Sequence, residues 1–93
     1  MPTRNVQPPT PGDIAEAAVR LAPHLAPTPL VESWALGPHV ALKLETLNLT
    51  GSFKVRGALS ALSRVDRRER VVTASTGNHA LGVAWAAGRL GVR

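Results

Sequence analysis

The hydrophobic period changes repeatedly between His39 and Leu90, and this alternation limits the fold more than any other feature of the chain. Val40, Leu42 and Leu44 alternate with His39, Ala41 and Lys43, which predicts a strand. Val55, Ala58, Leu59 and Leu62 then recur on one helical face. Arg70 to Ala74 is a short, largely apolar run that reads as a buried strand. Ala80, Val83, Ala84 and Ala87 return to helical spacing and present small residues for close packing on a sheet. Gly82 and Gly88 lower the intrinsic helicity there but permit close approach. Strand, helix, strand, helix predicts an α/β fold with a parallel sheet and right-handed crossovers. Upstream, Ile14, Ala17, Ala18, Leu21 and Leu25 predict one more helix, with Gly12-Asp13 as its start and Pro27 as its stop. Pro8, Pro9 and Pro11 mark residues 1–11 as a flexible tail. Residues 12–93 show no internal repeat and no further boundary.

Composition narrows the partners. The formal net charge is +5, and much of it lies in Arg64-Val65-Asp66-Arg67-Arg68-Glu69-Arg70. That cluster mixes signs, and the aromatics Trp34, Phe53 and Trp85 lie away from it, so it reads as a solvated loop rather than a nucleic-acid surface. No apolar run is long enough to span a bilayer. Met1 to Asn5 lack the apolar core of a secretory signal. The absence of cysteine excludes disulfides and thiolate metal sites, and His24, His39 and His79 lack metal-ligand spacing. These features predict a cytoplasmic chain with no metal and neither nucleic acid nor membrane as partner.

Two polar segments carry the chemistry. The first is Thr50-Gly51-Ser52-Phe53-Lys54-Val55-Arg56-Gly57-Ala58. It places Lys54 just inside a predicted helix start, and between Glu45 and Arg64 the only charged side chains are Lys54 and Arg56. The positive end of a helix dipole disfavours an ammonium group. A neutral amine is what imine chemistry with an aldehyde requires, so Lys54 is a candidate imine-forming lysine. The plainer alternative is a solvated surface lysine. The second segment, Ser75-Thr76-Gly77-Asn78-His79-Ala80, falls between the predicted strand and the last helix. Backbone N–H groups at such a turn form an anion site, Gly77 admits a ligand closely, and Asn78 and His79 add side-chain donors. Its plainer alternative is an ordinary strand–helix turn capped by Ser75 or Asn78.

Together with Thr28-Pro29-Leu30 and Lys43-Leu44-Glu45, these segments resemble the start of the serine/threonine dehydratases, or threonine ammonia-lyases, over Thr28 to Arg93. The resemblance implies a pyridoxal-phosphate enzyme of fold type II, with the parallel-sheet architecture of tryptophan synthase β, incomplete in this chain. It implies that Lys54 holds pyridoxal phosphate and later moves protons at the substrate α-carbon. Phe53 would pack against the cofactor ring, and Asn78 would hydrogen-bond its phenolic oxygen. Ser75, Thr76, Gly77 and His79 would hold the carboxylate of a small amino-acid substrate. The product would be a 2-oxo acid and ammonia, and the full-length protein would be a homo-oligomer.

Some positions depart from the pattern. Thr76 stands where many dehydratases carry alanine or serine. Racemase members use a hydroxyl there as the acid/base on the opposite face of the substrate, so a serine racemase-like enzyme is an alternative. Leu81 replaces a common glutamine. Cysteine synthases differ more, with Asn-Pro before the lysine motif and Asp after the lysine, where this chain has Leu49-Thr50 and Val55. At 93 residues the chain has the size of one small domain. It contains no glycine-rich phosphate loop. It is therefore expected to be the N-terminal part of such an enzyme, residues 12–93 being part of its catalytic domain, with a catalytically inert truncated fragment as the other possibility.

Overall fold

A computed structural model describes residues 5–93. In chain order the elements are α1 (Pro11–Leu21), β1 (Leu30–Glu32), β2 (Ala41–Lys43), a 3-10 turn at Glu45–Leu47, α2 (Lys54–Leu62) and α3 (Asn78–Leu90).

Helix α1 starts on a capping box. The Asp13 amide donates to Thr10 Oγ1 at 3.1 Å, and the Thr10 amide donates to Asp13 Oδ2 at 2.7 Å. Two donors of the first turn are thereby satisfied, and Pro11 fits a position whose N–H has no helical acceptor. The start therefore lies at Thr10 rather than Gly12-Asp13, and residue 11 belongs to α1 rather than to the tail. Residues 5–10 are exposed and without regular structure, while residues 1–4 of the expected tail lie outside the described residues. The helix ends at Leu21, ahead of Pro23, whose nitrogen cannot continue the hydrogen-bond ladder. No residue of α1 is buried; Ala17, Arg20 and Leu21 are half-buried, and Ile14 is exposed. Leu25, expected within this helix, lies beyond it and is buried in the core.

Strands β1 and β2 form an antiparallel hairpin, with Leu30 opposite Lys43, Val31 opposite Leu42 and Glu32 opposite Ala41. The strand expected around residues 40–44 is thus present, but it pairs with the segment after Pro29 and lies exposed. This is the sheet of the described residues, so the expected parallel sheet is not formed within them. The segment from Arg70 to Ala74 is also not a strand. Its one backbone tie of this kind runs from the Val71 amide to the Arg93 carbonyl at 2.7 Å, and Val72 is 86% exposed. β-Branched residues favour extended backbone, but a strand needs a repeating ladder on a neighbour, and the segment has none.

The core lies between α2 and α3. Val55, Ala58, Leu59 and Leu62 form the buried face of α2, as their spacing predicts. They meet Ala86 of α3, with Leu25 and Val92 in the same cluster. The buried residues of α3 are Gly82 and Ala86, while Ala84 of the expected face is exposed. Within the described residues, Gly82 and Ala86 of α3 thus pack on another helix, not on a sheet. Leu59 is fully enclosed, so Leu59→Ala is expected to cost about 2–5 kcal/mol in urea unfolding, against little change for Val72→Ala.

Candidate active site

Lys54 is the first residue of α2, where the sequence predicted it, and its side chain is exposed. The loop before it is tightly built. The Gly51 amide donates to the Asn48 carbonyl at 2.9 Å, and Gly51 turns the chain at φ +75°, a conformation that costs glycine little. Ser52 is buried, and its Oγ accepts the Lys54 amide at 3.3 Å. Phe53 occupies the N-cap without a capping side chain. Lys54 Nζ stands 5.2 Å from the centroid of the Phe53 ring, a contact worth about 0.5–1 kcal/mol at an exposed site.

What holds this loop in place is Glu45. Its Oε1 accepts from Arg56 Nη2 at 2.9 Å and from Thr28 Oγ1 at 2.7 Å. Its Oε2 accepts from Arg56 Nε at 3.0 Å and from Asn48 Nδ2 at 3.0 Å. Lys43 Nζ donates to the Thr28 carbonyl at 2.9 Å and lies 4.0 Å from Glu45 Oε1. The bidentate Arg56 pair fixes α2 to the end of the hairpin, two residues from Lys54. The Arg56 hydrogen bonds, followed by those from Asn48 and Thr28, lower the Glu45 pKa from the ordinary 4.5 to about 2. In the sequence Glu45 marked the edge of a charge-poor stretch and closed the Lys43-Leu44-Glu45 segment of the family resemblance, but it was not read as the partner of Arg56. The one hint was that Arg56 is one of two cations, with Lys54, in the otherwise uncharged stretch after Glu45, and the packing decides which of the two pairs with it.

On the other side of the site, α3 begins with Gly77 as N-cap, and Ser75 Oγ accepts the Gly77 amide at 3.2 Å. The cap is neither Ser75 nor Asn78. The Leu81 amide is bonded to the Gly77 carbonyl at 3.2 Å. The amides of Asn78, His79 and Ala80 precede that bond, so they have no acceptor within the helix. Residues Ser75 to His79 are all exposed.

An apolar-walled pocket of about 450 Å³ lies between these parts, lined among others by Phe53, Lys54, Gly57, Thr73, His79 and Val83. The structure thus brings Phe53, Lys54 and His79 to one cavity. Ser75, Thr76, Gly77 and Asn78 are not among its lining residues. Thr73 was not anticipated: its Oγ1 lies 3.0 Å from His79 Nε2 and ties the end of the extended segment to the start of α3. The one hint was a hydroxyl at the end of the apolar run, a short turn before the histidine.

A family profile described as pyridoxal-phosphate dependent enzyme matches residues 21–93. The chain belongs to this family. Among relatives, the catabolic L-threonine dehydratase TdcB of Staphylococcus aureus, in strain COL and others, is 42% identical over 89 residues, covering 87% of this chain and 26% of that protein. Among solved structures, a threonine deaminase from T.th. is 44% identical with a TM-score of 0.80, covering 90% of this chain and 32% of that one. The chain therefore spans about a quarter of the length of the curated relatives it matches. It has the fold of the matching part of a pyridoxal-phosphate dependent enzyme and is similar to the N-terminal portion of threonine dehydratases. No helix of the described residues is long and apolar enough to cross a membrane.

Because the folded state holds the Glu45 pKa below its unfolded value, Glu45 stabilises the fold above pH 4.5, and that contribution is lost as pH falls toward about 2. Glu45→Gln is expected to lower stability at neutral pH by about 1–3 kcal/mol. Its difference from the parent chain should shrink through that acid window in pH-dependent urea titrations.

Proposed function

We propose that this chain carries the lysine-bearing part of the active site of a serine/threonine dehydratase. Such an enzyme converts a small hydroxy-amino acid to a 2-oxo acid and ammonia. The proposed whole is a homo-oligomer of fold type II, with the parallel sheet of the tryptophan synthase β architecture, to which residues 70–74 would contribute. The observation that carries the proposal is the shared pocket of Lys54, Phe53 and His79, beside a helix start whose first amides have no acceptor within the helix.

The residues present fit pyridoxal phosphate at its aldehyde end. A primary amine stands at an apolar cavity beside an aromatic ring, with hydrogen-bond donors nearby. The chain holds no glycine-rich cradle for the phosphate. When bound, the cofactor supplies an electron sink for negative charge at the substrate α-carbon. Lys54 would hold it through the side-chain nitrogen and then carry the α-proton. Phe53 would flank its ring and keep water from one side. Asn78 would donate a hydrogen bond to its phenolic oxygen. Ser75, Thr76, Gly77 and His79 would hold the substrate carboxylate, helped by the positive end of α3. The Glu45–Arg56 pair keeps α2 in one orientation, so Lys54 is presented from a fixed backbone.

Lys43 and Lys54 are the lysines of the chain, which makes the test sharp. After incubation with pyridoxal phosphate and borohydride, the reduced adduct is expected on the Lys54 peptide in mass spectrometry. Lys54→Ala should abolish it and Lys43→Arg should retain it. An adduct that persists in Lys54→Ala would remove Lys54 from its proposed role. Complete absence of adduct in the parent chain would favour an inert polypeptide.

A further inference from the structure

Gly82 is buried where α3 packs against the backbone of the first turn of α2. A Cβ at this position would stand 3.1 Å from the Lys54 carbonyl carbon, 3.1 Å from the Val55 nitrogen and 3.2 Å from the Lys54 oxygen. All three are backbone atoms, so no side-chain rotation could relieve the contact. A methyl group there would have to move the first turn of α2 away from α3 by a few tenths of an ångström. Gly82 lies one helical turn after Asn78 and His79, so α3 touches the lysine backbone with the turn that follows its own N-terminus.

We infer that Gly82 is a positioning residue: its missing side chain sets the spacing between Lys54 and the N-terminal turn of α3. This rests on the proposed role of Lys54 and adds the residue that sets its distance from the first turn of α3. The opposite attachment of α2, through Arg56 to Glu45, limits how far the helix can slide in response. A displacement forced at Gly82 therefore falls on Lys54. The other glycines within these helices, Gly57 and Gly88, have nothing within 4 Å of the place a methyl group would take, and they carry no such constraint.

The test separates spacing from packing. Ala86 is fully buried one turn further along α3, and Ala86→Gly removes atoms from the same interface without pushing the helices apart. In the purified chain with limiting pyridoxal phosphate, Gly82→Ala is expected to reduce borohydride-trapped adduct at Lys54 by about tenfold. Ala86→Gly should lower the unfolding temperature yet trap as the parent does, and Gly88→Ala should trap normally. Normal trapping in Gly82→Ala, or an equal loss in Ala86→Gly, would overturn the inference. A cofactor-independent readout comes from the parent chain by NMR: a nuclear Overhauser contact between Gly82 Hα and the Val55 amide proton. That contact decides the matter if Gly82→Ala does not fold, and its absence overturns the inference. If the contact is present but the parent traps no cofactor, it is the role of Lys54 that fails, and the close approach at Gly82 stands.

Discussion

The structure depends on one carboxylate. Glu45 accepts four hydrogen bonds, two on each oxygen, from Arg56, Thr28 and Asn48. Those donors come from three places: the entry to the hairpin, the loop before α2, and the first turns of α2 itself. The exposed hairpin adds nothing to the core of buried side chains, so this polar junction anchors it to α2. A carboxylate so fully satisfied gains more from its donors than it loses by partial burial, which its lowered pKa expresses.

The second constraint is apolar. Helices α2 and α3 share the core, and the smallness of Gly82 and Ala86 lets them meet closely. Their approach sets the first turn of α2 beside the first turns of α3. The Lys54 amine and the first amides of α3, which have no acceptor within the helix, thus come to neighbouring positions on the two packed helices. Thr73 and His79, both lining the cavity, are joined by one hydrogen bond. Polar junction and helix contact act on the same few residues from opposite directions, and Lys54 sits where they meet.

Much of this was legible in the chain. The face of Val55, Ala58, Leu59 and Leu62 followed from spacing alone, because a helix has one period and an apolar stripe has to be covered. The start of α2 at Lys54 and the polar turn before α3 were equally plain, and the motifs around them pointed to the family that the matching profile identifies. The start of α1 was less plain. Its capping partners Thr10 and Asp13 flank Pro11 and Gly12, and Gly12-Asp13 by itself already has the form of a start signal. The strand expected at residues 70–74 is not formed within the described residues, for a different reason: local propensity describes one segment, whereas a strand is a relation between two.

The sequence by itself determined the helical faces, the position of Lys54 at a helix start and the membership of a pyridoxal-phosphate dependent family. These depend on local period and on short motifs, which do not change with the surroundings. Only the tertiary structure decided which charges pair, which glycine is crowded and which side chains share a cavity. Glu45 and Arg56 are separated by a loop and a turn, Gly82 meets Lys54 across two helices, and Thr73 reaches His79 around a turn. Each of these is a contact between residues apart in sequence, set by how whole elements pack, and no periodicity along the chain encodes it.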